Sequence, residues 1–218
     1  MSGTKADKTL ALILKEAILA QLYDLHVCLP ARVEKYDAEK QKADIKPLLK
    51  KRYKSEEQES ELPVITDVPV QWPSAAGGSA FLHLPVAKGD LGLALFCERS
   101  LDTWLHGSGQ MVGPKDPRHH DLSDAIFIPG VRPFGAPLKN ADAGNAVLQN
   151  GQMRIELAPD GTISIQGASE EFLTIVDSLM DHLIEAKVVT AVGAAPFIGS
   201  TIIALQDDKA RLATIKRI

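Results

Sequence analysis

At Val27 the spacing of apolar residues changes from a helical period to a strand period, and this change most constrains the fold. Before it, residues 7 to 24 read as one amphipathic helix. Leu10, Leu12, Ile13, Leu14, Ile18, Leu19 and Leu22 make a broad apolar face, and Lys8, Lys15, Glu16 and Gln21 a wet one. The simplest expectation is that this helix packs on its own domain. After it, Val27, Leu29, Ala31 and Val33 alternate with polar or small residues. Ala43, Ile45, Pro47 and Leu49 do the same beyond the polar turn at Tyr36–Lys40. This is a hairpin with one buried face. Further short strands are expected at Pro63–Trp72, Ala80–Leu84 and Leu91–Phe96, punctuated by Gly77-Gly78 and Lys88-Gly89-Asp90. Five short strands at this spacing suggest a small closed barrel of the OB type.

Residues 107–146 are rich in Gly, Pro, Asp and His and lack periodicity, apart from one apolar run at Ala125–Ile128. Such a stretch is expected to be an ordered crossing segment. Beyond it, Asn150-Gly151 and Asp160-Gly161 are hairpin signals. Between and after them lie Met153–Leu157 and Thr162–Gln166, which alternate cleanly. A lone hairpin cannot bury its apolar face, so Ile155, Leu157, Ile163 and Ile165 are candidates for an interface with identical chains. From Ser169, a plausible cap, a helix is expected to run to about Lys187. Gly193–Pro196 breaks it, and a second helix follows from about Ser200 to Arg217. The first helix carries more apolar surface than one partner helix covers. The stripe Phe172, Val176, Leu179, Leu183 is expected to face other subunits. A competing stripe, Phe172, Ile175, Leu179, His182, Ala186, would place His182 on a three-fold axis as a candidate metal ligand. The apolar stripe is favoured, because burying three imidazoles without partners is costly.

The expected fold class is thus mainly β with helical ends. Its parts are an N-terminal helix (1–25), an OB-fold barrel (26–106), a crossing segment (107–146), a short intertwined trimeric β-prism or β-helix (147–168) and a C-terminal helical hairpin (169–218).

No catalytic constellation emerges, and no cofactor is expected. His119-His120 lies among Asp116, Asp121 and Asp124, but consecutive residues of an extended segment point opposite ways, and no HxH or HxxxH spacing is present. Ser108 sits between Gly107 and Gly109, which is not a nucleophile elbow. Cys28 and Cys97 occupy apolar runs and read as reduced, buried thiols. A net charge of −4 with interleaved signs argues against nucleic acid as a partner. The one charge-segregated stretch, Lys50–Lys54 followed by Ser55–Glu61, neutralises itself. The polar N-terminus shows no targeting segment, so folding in a cytoplasm is expected.

Four segments in order carry a family resemblance: Leu62–Pro73, Val86–Asp90, Phe96–Leu105 and Asp116–Gly130. Together they resemble the N-terminal domain of the central membrane-piercing spike of contractile phage tails, the family related to baseplate assembly protein V. The resemblance implies an N-terminal OB-fold followed by a trimeric, intertwined β-structure on the tail axis. It implies a non-enzymatic virion component of the baseplate, assembled in the host cytoplasm, that plugs the tail hub and leads the tube through the host envelope. Its partners would be two further copies, the hub and other baseplate proteins, with transient envelope contact. It also recasts His119-His120 as part of a structural segment. The chain departs from the family in lacking a long β-helix and the histidine pair that holds iron at the apex. A short spike base, carrying a separately encoded tip protein, is the expectation that follows. The rival readings are an OB-fold module for nucleic acid or glycan, which needs an aromatic face that Trp72, Phe81 and Tyr53 are too scattered to form, and a peptidoglycan hydrolase, for which no carboxylate pair is evident.

Overall fold

The computed structural model describes residues 9–52 and 59–216, with the backbone alone at Thr190. The middle of the charge-segregated stretch, residues 53–58 and with it Tyr53, lies outside the described residues, as do the first eight residues and Arg217. The chain divides into two compact units, 1–137 and 138–218.

The first unit opens with α1 (Leu10–Asp24), whose N-cap Thr9 accepts a hydrogen bond from the Leu12 amide. Strands β1 (Cys28–Asp37), β2 (Lys42–Pro47) and β3 (Ile65–Pro69) follow as an antiparallel meander. A two-residue pair, β4 (Ser74–Ala75) and β5 (Ala80–Phe81), forms its own small ribbon. β6 (Leu91–Phe96) pairs with β1, the short α2 (Asp102–Leu105) follows, and β7 (Ala125–Pro129) pairs with β6. The resulting five-stranded antiparallel sheet has the order β3-β2-β1-β6-β7. It curls until its outer strands approach. Val70, just past β3, forms a parallel bridge to Phe127 of β7, and the Gln71 amide donates to the Phe127 carbonyl at 2.9 Å.

The curl follows from alternation. Ala31 and Val33 on β1, Ala43 and Ile45 on β2, Val68 on β3, Ala94 and Phe96 on β6, and Ala125 and Phe127 on β7 all point inward and are buried. Small residues alternate with large ones, so the strands close tightly around Phe127. Gly92 shows how tightly: a Cβ there would sit 2.5 Å from the Phe127 ring, so only glycine lets β6 pass beneath it. The fifth strand is thus the apolar run expected in the crossing segment. The expected strand Ala80–Leu84 contributes only the short β5, and Phe81 is exposed. Ile126 and Ile128 flank a phenylalanine that fills the sheet interior, whereas Phe81 and Leu82 follow Gly77-Gly78 and face outward.

The second unit begins with the antiparallel sheet β8 (Ala146–Asn150), β9 (Met153–Leu157) and β10 (Ile163–Gln166), in the order β10-β9-β8. α3 (Phe172–Glu185) packs against β10 and against α4 (Gly199–Ala213). The Glu171 carboxylate caps α3, accepting from the Thr174 amide at 2.6 Å and from the Ile165 amide at 3.1 Å. The cap is therefore Glu171 and not Ser169, because a carboxylate at this position also ties the helix to β10. The two helices are not joined by a simple break. α3 ends before Lys187, and β11 (Lys187–Thr190) and β12 (Gly193–Pro196) form a hairpin between them. The β-branched run Val188-Val189-Thr190 favours a strand over another helical turn.

Candidate functional site

The segment with the densest polar chemistry, 116–124, is an ion-pair clamp. Asp124 has no exposed side-chain surface, and its carboxylate accepts from Arg118 Nε at 2.6 Å and from Arg118 Nη2 at 2.9 Å. The Leu101 amide adds a third donor at 2.8 Å. The same guanidinium reaches Asp102 of α2 at 2.8 Å and Asp116 at 3.1 Å. The planar fork of arginine suits this arrangement, and a buried carboxylate requires it. The clamp ties the crossing segment to the start of α2 and to the strand entry at β7. Its charges show the coupling. Asp116 titrates below its usual range, held first by the Arg118 amide and then by the guanidinium. Arg118 is pushed further up, chiefly by Asp124.

The neighbouring histidines do not share a site. His119 Nδ1 lies 3.1 Å from the Glu98 carbonyl. His120 has a left-handed backbone (φ 49°), and its Nδ1 is buried without a hydrogen-bond partner. Asp121 is engaged by the Ser123 hydroxyl at 2.6 Å and the Ser123 amide at 2.9 Å, which keep its pKa low. Among the described residues, no three His, Cys, Asp or Glu side chains are grouped to hold a metal ion. Ser108 lies exposed in the turn after α2, with His106 Nδ1 2.9 Å from the Asp102 carbonyl.

Two further expectations change. Cys28 is exposed at the start of β1 and is not a buried thiol, while Cys97 is half-buried with its thiol pushed up by burial. The alternation that buries Ala31 and Val33 starts only where β1 acquires β2 as a neighbour, three residues after Cys28. Helix α1 buries none of its residues and so does not pack on its own unit. Leu10, Leu12, Ile13, Leu14, Ile18, Leu19 and Leu22 are all at least 43% exposed. Taken at 100° per residue they surround the whole helix, which leaves no single face for one sheet to cover. Its C-terminal end is tethered through Tyr23 Oη to the Arg52 carbonyl at 2.6 Å and Asp24 to Lys51 at 2.5 Å. Of the barrel aromatics, Trp72 is half-buried with its ring centroid 4.8 Å from that of His83, whereas Phe81 is exposed on the small ribbon.

The proposed interface residues fall on two surfaces of the second unit. Ile155 pairs with Ile165, and Leu157 with Ile163, across β9 and β10; Leu148 of β8 stands opposite Ile155. These side chains share one face of the sheet. Ile155, Ile163 and Ile165 are half-buried, while Leu148, Met153 and Leu157 are each about half exposed, at 49%, 50% and 54%. The opposite face is polar, with Arg154 paired to Glu156 and bonded to Gln149 at 2.9 Å. On α3, Phe172, Leu179 and Leu183 are exposed, but Val176 is half-buried within its own unit. Ile175 is exposed in its place and His182 lies beside it, also exposed. Helical period alone left these two stripes unresolved; the tilt of α3 on β10 and α4 separates them.

The stretch that holds the curled sheet and the clamp is similar to a known family. Residues 29–130 match the family model described as the phage protein Gp138 N-terminal domain. The match opens in β1 and closes just after β7, so it spans the five-stranded sheet and the Arg118 clamp. It supports a phage protein family and a phage structural role associated with the virion. No curated protein matches the chain. Among the described residues, no helix is long and apolar enough to cross a membrane.

Proposed function

We propose that the chain is the central spike component of a contractile phage-tail baseplate, a non-enzymatic homotrimer on the tail axis. The observation that carries this reading is the order of the curled sheet. Strands β1, β2 and β3 form a meander, β6 returns beside β1, and β7 closes in parallel on the end of β3. That is the strand order of a five-stranded OB-type barrel, the fold implied by the spike resemblance. The second unit supplies the assembly argument. Its three-stranded sheet leaves half of an apolar face open, as a wall of a three-sided β-prism would before its copies are added. Three copies bury Leu148, Met153 and Leu157 against one another and set the strands around the axis. The spike would plug the tail hub and lead the tube into the host envelope, with a separate tip protein at its apex.

Cryo-imaging of intact particles of the phage that encodes the chain tests this reading. The expected result is three copies at the baseplate end of the tail tube, on its axis. Absence of the chain from purified particles, or a position off the axis, would overturn it.

A further inference from the structure

The two outer edges of the sheet β10-β9-β8 are unlike. On β10 the chain closes its own edge. The Ile163 amide donates to the Ile215 carbonyl, just past α4, at 2.8 Å, and the Ile165 amide donates to the Glu171 carboxylate at 3.1 Å. On β8 nothing comparable occurs among the described residues. The turn Gly151-Gln152 has two residues, so the flanking pair Asn150 and Met153 exchange hydrogen bonds. By alternation, Leu148 with Ile155 and Ala146 with Leu157 do the same. The backbone amides and carbonyls of Val147 and Gln149 therefore point away from β9, and none of these four groups has a partner among the described residues. The strand also lacks the usual guards of an open edge. No proline and no charged residue occurs from 143 to 153, and the register with β9 runs without a bulge. The sheet of the first unit, by contrast, closes its outer strands through the bridge from Val70 to Phe127.

We propose that the β8 edge docks an extended segment of a different polypeptide, which joins the sheet as a fourth strand. The chemistry of the edge sets the kind of occupant. A row of outward N–H and C=O groups is satisfied by another extended backbone and not by an apolar surface. Copies of the same chain are excluded for two reasons. A β8–β8 pair needs a two-fold axis, which a trimer lacks; this step rests on the trimeric reading above. A β8–β10 pair between copies meets a β10 edge already taken by Ile215 and Glu171. The added strand carries apolar side chains at alternate positions, because the residue opposite Leu148, itself 49% exposed, lies on the apolar face of the sheet.

Hydrogen exchange of the full chain, alone and within intact phage particles, tests this. In the isolated chain the Val147 and Gln149 backbone amides should exchange at least about tenfold faster than those of Ile163 and Ile165. In the particle they should slow to the rate of that pair, and an image of the particle should show a strand of another polypeptide about 4.8 Å from β8. Val147→Pro removes one outward donor and breaks no bond to β9. It should leave the solution mass and circular dichroism of the isolated chain unchanged and displace that strand. Val147 and Gln149 amides that still exchange freely in the particle overturn the proposal. Protection already present in the isolated chain also overturns it, because a copy of the chain then fills the edge. An isolated chain with the mass of one copy overturns the trimeric reading instead, and exchange in the particle still decides the edge.

Discussion

At the residue scale the account turns on Asp124 and Gly92. Asp124 is the one charged side chain buried in the core among the described residues, and its burial is sustained by the Arg118 fork and the Leu101 amide. Asp124→Ala leaves the guanidinium without its closest partner, and loss of one member of a buried pair costs about 3–5 kcal/mol. Chemical denaturation should register a fall of that size, with Asp116→Asn, at the exposed end of the same clamp, costing much less. Gly92→Ala forces a methyl group into the Phe127 ring and should destabilise by about 1–3 kcal/mol, the cost of overpacking a closed core. Burial, with the nearby Lys51 charge, lowers the pKa of His26, whose ring centroid lies 5.4 Å from that of Phe96. The unfolded chain therefore binds this proton more readily, and stability falls as pH drops from 6.5 through the lowered folded value. Asp116 and Asp121 are also lowered, so their contribution is present above the ordinary carboxylate range and is lost as pH falls through their folded values. Melting temperatures measured from pH 7 down to pH 3 should fall in two stages, and His26→Gln should remove only the first.

At the element scale, the contrast is between strands that close on themselves and surfaces left open. Because α1 buries nothing, removing residues 1–20 should change the stability of the remaining chain by less than about 0.5 kcal/mol, with the tethers at Tyr23 and Asp24 retained. Thermal melts of the two forms check this; a large loss of stability would mean that α1 packs where the structure leaves it open. Most strands were legible because their period is two and their turns are marked by glycine: β1, β2, β6, β9 and β10 all lie where alternation puts them. The fifth strand was harder to place. Ala125–Pro129 is short and sits inside a Gly/Pro-rich stretch, and only its long-range pairing with β6 makes it part of the sheet. The β11–β12 hairpin was missed for a related reason. Val188, Val189 and Thr190 continue an apolar helical run, so their β-branching was the only local sign of a strand. The Arg118 clamp lay within the segment that carries the family resemblance, but its partners are drawn from positions 101, 102, 116 and 124, which sequence spacing does not bring together. On α3, period alone could not decide between Val176 and Ile175, because both lie within one continuous apolar arc and packing on β10 and α4 decides which side is covered.

At the scale of the whole molecule, the curled sheet of the first unit encloses its own core, whereas the sheet and helix α3 of the second leave apolar side chains open. The curled sheet encloses Phe127 and is complete within one chain. In the second unit, Leu148, Met153, Leu157, Phe172, Ile175 and Leu179 are all exposed. Exposed apolar area of this extent marks an interaction surface. Leu157→Asp should therefore weaken assembly without unfolding the curled sheet, a separation that sedimentation and circular dichroism on the same sample can read. The most direct test of the central claim is the solution mass of the intact chain, by light scattering at neutral pH. The account predicts three times the 23.5 kDa of one chain; a stable species with the mass of a single chain would contradict it.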